Sequence, residues 1–194
     1  MHADAWSRGG REVGDKPFFS ARLSDGQPRT DGVAHCRLGR RIPVEGQELD
    51  EGVFVEWSWD GRRLTIENDR YGQYPLFYCA QPDSICISPA LARVVRENSQ
   101  RRFDKAALGV FFRMGHFVGE DTPFEDVRFL PPNSVLTWEN GRLDIQVRPF
   151  RSTPPASAGG SFDDAVEAYE TLFARAIARR LPDHPDFVVP ISGG

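Results

Sequence analysis

Apolar and polar side chains alternate along the middle of the chain, which is the pattern of a strand with one buried face. Four apolar residues share one side of residues 53–59: Val53, Val55, Trp57 and Trp59. Asp60-Gly61 is a two-residue hairpin turn, and residues 62–67 return as a second strand. Two further apolar runs, at residues 75–79 and 85–87, extend the pattern into a predicted meander of strands.

Strands are also predicted on both sides of this meander. Residues 17–23 form a short strand, and we expect residues 33–38 to pair with it because two Asp-Gly turn signals lie between them. Residues 134–138 and 142–147 form another hairpin through Asn140-Gly141.

Three helices are predicted from their caps and from their apolar spacing. Ser88 is the N-cap of the first helix, with Pro89 at its first helical position. Asp104 caps the second helix. Ser161 begins the third helix with a capping-box pattern, and Pro182 ends that helix. The apolar side of the second helix consists of Leu108, Phe111 and Phe112. The third helix has apolar residues at helical spacing: Val166, Tyr169, Leu172, Phe173, Ala176 and Ile177.

Proline, glycine and small residues dominate the stretch that precedes the third helix. We interpret residues 151–161 as a linker between one domain at residues 1–150 and the beginning of another at residues 162–194. Residues 187–191 are apolar throughout, as expected of a parallel strand that is covered on both faces.

Ser192-Gly193-Gly194 follow this strand directly. A tight loop at the carboxyl end of a strand is where α/β folds bind ligands. A phosphate-binding loop also needs a following helix, whose free N–H groups face the anion. We therefore expect the chain to be truncated inside this loop.

Composition favours a folded cytoplasmic protein and argues against several classes. The chain is 40% hydrophobic and 11% aromatic, and its net charge of -4 is scattered, so nucleic-acid binding is not expected. No run of 18 apolar residues and no apolar signal core are present in the sequence, so neither a membrane span nor secretion is expected. Cys36, Cys79 and Cys86 include no Cys-x-x-Cys pair, which favours reduced thiols over a zinc site.

Four stretches resemble the asparagine synthetase family, and they occur in the family's order. Residues 51–60 are similar to its Gly-x-Phe-x-x-x-x-x-Asp strand, and residues 68–78 to its Arg-Asp-x-x-Gly-x-x-Pro-Leu-Tyr-Tyr segment. Residues 124–136 resemble its Val-x-x-Leu-Pro-Pro-Gly stretch, and residues 190–194 the start of its Ser-Gly-Gly-x-Asp-Ser pyrophosphate loop. The likeness leaves residues 1–49 poorly matched.

The resemblance implies an α+β fold in two parts. The first part is a layered β-sandwich with flanking helices, like that of N-terminal-nucleophile hydrolases but degenerate. The second part is the first helix and strand of an α/β ATP-pyrophosphatase domain. Asp69, Arg70 and Gly72 match the family's pattern, and we interpret them as scaffold: an Asp-Arg pair that brace a loop, and a glycine turn.

In the family, the first domain releases ammonia from glutamine with a cysteine at position two. Its thiol attacks the amide while the free α-amine serves as the base. His2 occupies that position here, so the resemblance assigns no catalytic residue and implies an inactive glutaminase half. Cys36 follows His35, but adjacent side chains on a strand point to opposite faces, so we interpret Cys36 as structural.

In the family, the second domain activates a carboxylate with ATP as an acyl-adenylate, which an amine then attacks. Ser192, Gly193 and Gly194 match the first half of its loop and are the predicted ATP- and pyrophosphate-binding residues. The complete protein is expected to use ATP and Mg²⁺. The present chain is expected to bind neither of them tightly and to hold no other metal.

Two functions remain open at this point. The first is the N-terminal part of an ATP-dependent amide-forming ligase, or of a relative that forms macrolactams or β-lactams with another amine. The second is a non-catalytic scaffold or partner domain for a separately encoded synthetase half. The expected small-molecule partners are a carboxylate and an amine or ammonia donor. The expected protein partner is a second copy in a homodimer or a separately encoded C-terminal half.

Overall fold

Two five-stranded antiparallel sheets form the framework of the chain. The computed structural model describes residues 16–44, 50–98, 100–149 and 160–181. The first sheet has the spatial order β2 (Gln27–Gly32), β1 (Phe19–Ser24), β7 (Ser84–Ser88), β6 (Phe77–Gln81) and β8 (Arg128–Phe129). The second has the order β10 (Arg142–Val147), β9 (Ser134–Glu139), β5 (Arg63–Asn68), β4 (Glu51–Trp59) and β3 (His35–Ile42). Three helices complete the described part: α1 (Leu91–Glu97), α2 (Lys105–Met114) and α3 (Phe162–Arg180).

The inner faces of the two sheets share one apolar core. Both sheets contribute alternate strand residues to it: Phe19, Ala21, Tyr78, Ile85 and Ile87 from the first, and Val55, Trp57, Trp59, Leu64, Ile66, Leu136 and Trp138 from the second. The Trp59 ring lies 5.4 Å from the Phe19 ring and 6.2 Å from the Trp138 ring, centroid to centroid. The prediction of strands with one buried face is confirmed, and the architecture is a mixed α+β fold with two antiparallel sheets.

The outer face of the first sheet is covered by α1. Val94 of this helix forms a second buried cluster with Val127 and with the thiols of Cys79 and Cys86. The two cysteines face each other across β6 and β7, on the opposite side of the sheet from the main core. They are therefore buried because a helix packs over them.

The outer face of the second sheet carries charged side chains instead. The guanidinium of Arg41 pairs with Asp50, Glu56 and Glu67, and it lies 4.9 Å from the ring centroid of Phe54. Because Glu56 and Glu67 alternate with core residues along β4 and β5, the network lies on the far side of the sheet from the core. This face is thus compatible with water.

The predicted pairing of residues 33–38 is wrong. They belong to β3, which pairs with β4 in the second sheet, while β1 pairs with β2 in the first. Strand β2 was missed because its sequence is polar and mostly exposed, so it has no apolar alternation. The chain crosses between the sheets at Gly32, whose φ of 92° and close approach to the Phe18 carbonyl leave no room for a Cβ.

Three further details differ from the sequence-based expectation. Ser88 remains paired in β7, and the N-cap of α1 is Ala90, which has no side-chain capping bond. The Ser88 hydroxyl instead accepts from the Ala90 N–H and donates to the Pro17 carbonyl. Phe112 is 81% exposed and Val53 is 40% exposed, because neither has a neighbouring layer in the described part of the chain.

The predicted caps of the other two helices are confirmed. Asp104 accepts from the N–H groups of Ala106 and Ala107. Ser161 and Asp164 form a capping box at the start of α3. The hairpin through Asn140-Gly141 is also confirmed, with β9 and β10 in antiparallel register.

Parts of the predicted second domain lie outside the described residues, namely most of the linker and the strand at residues 187–191. Within the described ranges, no helix is long and apolar enough to cross a membrane. The α3 helix is described, and none of its side chains is buried.

Candidate functional site

The site residues predicted from the sequence cannot be placed. His2 and the loop of Ser192, Gly193 and Gly194 lie outside the described residues. What the structure does place is the meeting point of the other three stretches that resemble the asparagine synthetase family, and the candidate site is built from it.

Asp69 lies at the centre of this meeting point, directly after β5. The residue is 1% exposed, and its carboxylate accepts hydrogen bonds from four backbone N–H groups. The donors are Phe54 at 3.2 Å, Tyr71 at 3.0 Å, Gln73 at 3.1 Å and Tyr74 at 3.1 Å. Asp69 therefore braces its own loop and fixes that loop to β4, which confirms the scaffold interpretation of this residue.

Asn68 joins the same loop to the third stretch. Its side-chain amide donates to the Pro131 carbonyl at 2.8 Å, and its oxygen accepts from the Ser134 N–H at 2.9 Å. The Asn133 N–H reaches the Asp69 carbonyl at 3.0 Å. A Cβ on Gly72 would lie 3.2 Å from Pro132, and the φ of 61° is one that residues with a side chain rarely adopt, so a substitution there would be strained.

A half-open cavity of about 300 Å³ lies beside this loop. Its wall comes from the start of β4, from the Asp69 loop and from the end of α3. The lining includes two carboxylates and two guanidinium groups, those of Asp50, Glu51, Arg70 and Arg180. Its other residues are Gly52, Val53, Tyr71 and Gln73. Such a surface suits polar contacts, and its described lining residues include neither a cysteine nor a serine that could act as a nucleophile.

The cysteines are placed where they are chemically quiet. Burial raises the pKa of Cys79 to about 11 and that of Cys86 to about 12, with nearby carboxylates adding to each shift. Burial also raises the pKa of Cys36. Because these pKa values are raised, all three thiols are protonated at neutral pH. The thiolate is the form that attacks, so none of them is an activated nucleophile. Cys36 packs against the core and His35 is exposed, so the two side chains point to opposite faces of β3, as predicted.

The raised thiol pKa values predict a loss of stability at alkaline pH. Both Cys79 and Cys86 have an ordinary value of 9.0, which is lower than their folded-state pKa values. The unfolded chain therefore loses these thiol protons at a lower pH than the folded chain. The contribution of the two thiols to the free energy of unfolding is complete below about pH 9 and declines as the pH rises towards 11 and 12. We expect the urea midpoint to fall less between pH 8 and pH 10.5 in a Cys79→Ala/Cys86→Ala double variant than in the parent chain. An equal fall in both proteins would contradict the assignment.

A metal site is not indicated by the described residues. Within residues 16–44, 50–98, 100–149 and 160–181, no three histidine, cysteine or acidic side chains are grouped so that they could hold a metal ion.

Two structural features were not predicted from the sequence. Asn68 has no role of its own in the prediction, although it is 2% exposed and links two stretches that are more than 60 residues apart. Glu51 has none either, although it pairs with Arg179 and Arg180 of α3. The Asn-Asp pair at the end of an apolar strand was the available signal for the first, since buried polar residues need partners. No local pattern signals the second.

Comparison with known proteins supports the first part of the resemblance. The family model of the glutamine amidotransferase domain matches residues 44–150. The chain is 26% identical over 147 residues to the asparagine synthetase [glutamine-hydrolyzing] 3 of Bacillus subtilis (strain 168), which is 74% of the chain and 24% of that protein. The chain thus spans about a quarter of the length of this relative. Because the family model covers more than half of the 194 residues, the chain belongs to the glutamine amidotransferase domain family.

Proposed function

We propose that this chain is the amidotransferase-type part of an asparagine-synthetase-like, ATP-dependent amide-forming ligase, and that it does not itself hydrolyse glutamine. The observation that carries the second half of the proposal is the state of the thiols. All three cysteines of the sequence are described, and burial raises the pKa of each. None is therefore prepared for attack on an amide carbon.

The ligase half of the proposal rests on the similarity to the Bacillus subtilis protein and on the four matched stretches. ATP and Mg²⁺ would bind at Ser192, Gly193 and Gly194, which lie outside the described residues. The same proposal includes domain boundaries at residues 150 and 162, a cytoplasmic location and small-molecule substrates. An amine from a substrate other than glutamine would make the protein a relative of the macrolactam- or β-lactam-forming ligases.

The described domain would then serve as a platform. Three matched stretches are held together by Asp69 and Asn68 through backbone and side-chain hydrogen bonds. This arrangement supports a structural role for Asn68 and Asp69 in the proposed domain. The resemblance to the family would thus record a shared scaffold in this part of the chain.

The test of the glutaminase proposal is ammonia release from L-glutamine by the purified chain. We expect a rate equal to that of the heat-denatured protein, and the same rate for a Cys36→Ser variant, because the most accessible thiol is not a nucleophile. An authentic glutaminase added to the same mixture verifies the assay. Ammonia release that is abolished by Cys36→Ser or by thiol alkylation would contradict the proposal.

A scaffold for a separately encoded synthetase half is the second candidate, and α3 favours it as much as it favours the ligase. The helix exposes a row of large apolar side chains: Phe162, Val166, Tyr169, Leu172, Phe173 and Ile177. Exposed apolar surface of this extent marks a face that packs against another body. In the ligase that body is the rest of the same polypeptide, and in the scaffold it is another chain.

The coding sequence beyond Gly194 separates these two candidates. An in-frame continuation with the remaining x-Asp-Ser of the loop supports the ligase. A stop codon directly after Gly194, in a gene whose product folds, supports the scaffold and rules out the ligase for this polypeptide.

A further inference from the structure

The α3 helix meets the sandwich through polar side chains at its C-terminal end. Its side chains are exposed except for Ala176, which is partly buried, so no apolar core joins the helix to the sheets in the described part of the chain. Four arginine and glutamate side chains make the contact, and we name them the α3 clamp: Arg40 and Glu51 on the sheet, and Arg179 and Arg180 on the helix.

Arg40 binds the end of the helix backbone. Its Nη1 donates to the carbonyl oxygens of Arg180 at 2.9 Å and Leu181 at 3.0 Å. The last carbonyls of a helix have no partner within the helix and carry its negative partial charge. A guanidinium at this position therefore recognises a helix C-terminus as such, whatever side chains the helix bears.

Glu51 binds the helix side chains. Its carboxylate accepts from Nη2 of Arg179 at 3.2 Å and from Nη2 of Arg180 at 3.0 Å. Glu51 is the first residue of β4 and pairs with Ile42 of β3, so its position is fixed by the sheet. The two arginines are adjacent in sequence, and together they enclose one carboxylate.

The clamp is specific in direction but weak in energy. The side chains of Glu51, Arg179 and Arg180 are 25% to 49% exposed, and ion pairs of this kind are screened by water and salt. Such contacts cannot hold a helix by themselves, whereas they can select one orientation of a helix whose apolar face is covered elsewhere. Orientation is therefore the role that the geometry supports.

We propose that the β3–β4 edge of the amidotransferase-type domain is a docking site for the basic C-terminal end of α3, and that it sets the direction in which the chain leaves this helix. The site is built to bind a helix C-terminus, through Arg40, and two consecutive arginines, through Glu51. The residues that leave α3 include Ser192, Gly193 and Gly194. That the clamp thereby positions a pyrophosphate loop rests on the proposed function, whereas the contact itself does not.

The chain supplies a matched control for a test of the clamp. Glu139 also pairs with two consecutive arginines, Arg62 and Arg63, but at the opposite end of the second sheet. Glu139→Gln and Glu51→Gln therefore remove the same kind of interaction at two places. Arg40→Met removes the backbone contact of the clamp while it leaves the Glu51 carboxylate intact.

The experiment is limited trypsin digestion of the full chain, with the cleavage sites quantified by mass spectrometry. Cleavage after Arg179 and Arg180 is expected to be about three- to tenfold faster in Glu51→Gln and in Arg40→Met than in the parent, since a fast local opening controls proteolysis. Cleavage after Arg175, one turn earlier on the exposed side of α3, is expected to change by less than about twofold. High salt is expected to reproduce the effect in the parent chain.

Two results would overturn the proposal. Unchanged cleavage after Arg179 and Arg180 in both variants would show that the clamp does not form. An equal acceleration in Glu139→Gln would show a general loss of stability. No step of this test measures glutamine hydrolysis or ligation, so its outcome is independent of the proposed function.

Discussion

Replacing Asp69 with alanine is expected to lower the free energy of unfolding by about 3–5 kcal/mol, since buried N–H groups left without an acceptor cost about 1–3 kcal/mol each. Four N–H groups lose their acceptor together, and that of Phe54 lies inside the sheet where water cannot replace the carboxylate. The loop donors at Tyr71 and Gln73 are partly exposed residues and recover some of the loss by hydration. Urea unfolding followed by circular dichroism measures the effect.

Two companion variants sharpen this prediction. Asp69→Asn keeps an acceptor for two of the four N–H groups but turns an NH₂ group towards the other two, so an intermediate loss is expected. Asp83→Ala removes an exposed carboxylate in the turn between β6 and β7, and its effect is expected to stay within about 0.5 kcal/mol. If Asp69→Ala were no more destabilising than Asp83→Ala, the carboxylate would not brace the loop.

Replacing Trp138 with alanine is expected to cost about 3–5 kcal/mol, because a large core side chain is exchanged for a cavity. Trp138 is 0% exposed and packs against Trp59 in the middle of the sandwich. The substitution is expected to raise the unfolding rate and to lower the urea midpoint. The fold is expected to stay the same, since the neighbouring strands stay paired. Urea unfolding is again the measurement, with the midpoint and the slope fitted separately.

The indole N–H of Trp138 makes the conservative variant informative. This group is buried and has no hydrogen-bond partner among the described residues. Trp138→Phe therefore removes an unsatisfied donor together with some volume, and the two effects offset each other, so a loss below about 2 kcal/mol is expected. Phe112→Ala, at an aromatic residue that is 81% exposed, is the surface control. A Trp138→Phe loss as large as that of Trp138→Ala would show that the N–H is satisfied.

The described domain combines a family match with a scaffold that is braced by buried polar side chains. Its three matched stretches are joined by Asn68 and Asp69, whose side chains bind neighbouring backbone groups. Cys36 packs against the core, and Cys79 and Cys86 are buried under α1. The pKa of each thiol is raised.

Elements with a strong local period were predictable from the sequence. The alternation at Val55, Trp57 and Trp59 identifies β4 and its buried face because successive side chains of a strand point to opposite sides. Asp104 and Ser161 identify two helix starts because a cap binds N–H groups only two or three residues away. These features depend on neighbours along the chain, which is the information that a local pattern contains.

Elements without such a period were not predictable. Strand β2 is polar, so nothing in its sequence distinguishes an edge strand from a loop, and β3 was therefore assigned to the wrong partner. Ser88 was taken as a helix cap because a serine before a proline has the same local pattern, although the sheet retains it. In each case a contact with a distant strand decided between two locally equivalent structures.

The sequence by itself determined the strand-rich meander, the hairpin at Asn140-Gly141, the caps of α2 and α3, and the resemblance carried by four short stretches. Only the tertiary structure decided that three of these stretches meet at Asp69 and that Glu51 pairs with Arg180 at the end of α3. The physical reason is the separation of the partners along the chain. Asn68 and Ser134 are 66 residues apart, and Glu51 and Arg180 are 129 apart, so their contacts arise from the packing of the whole domain.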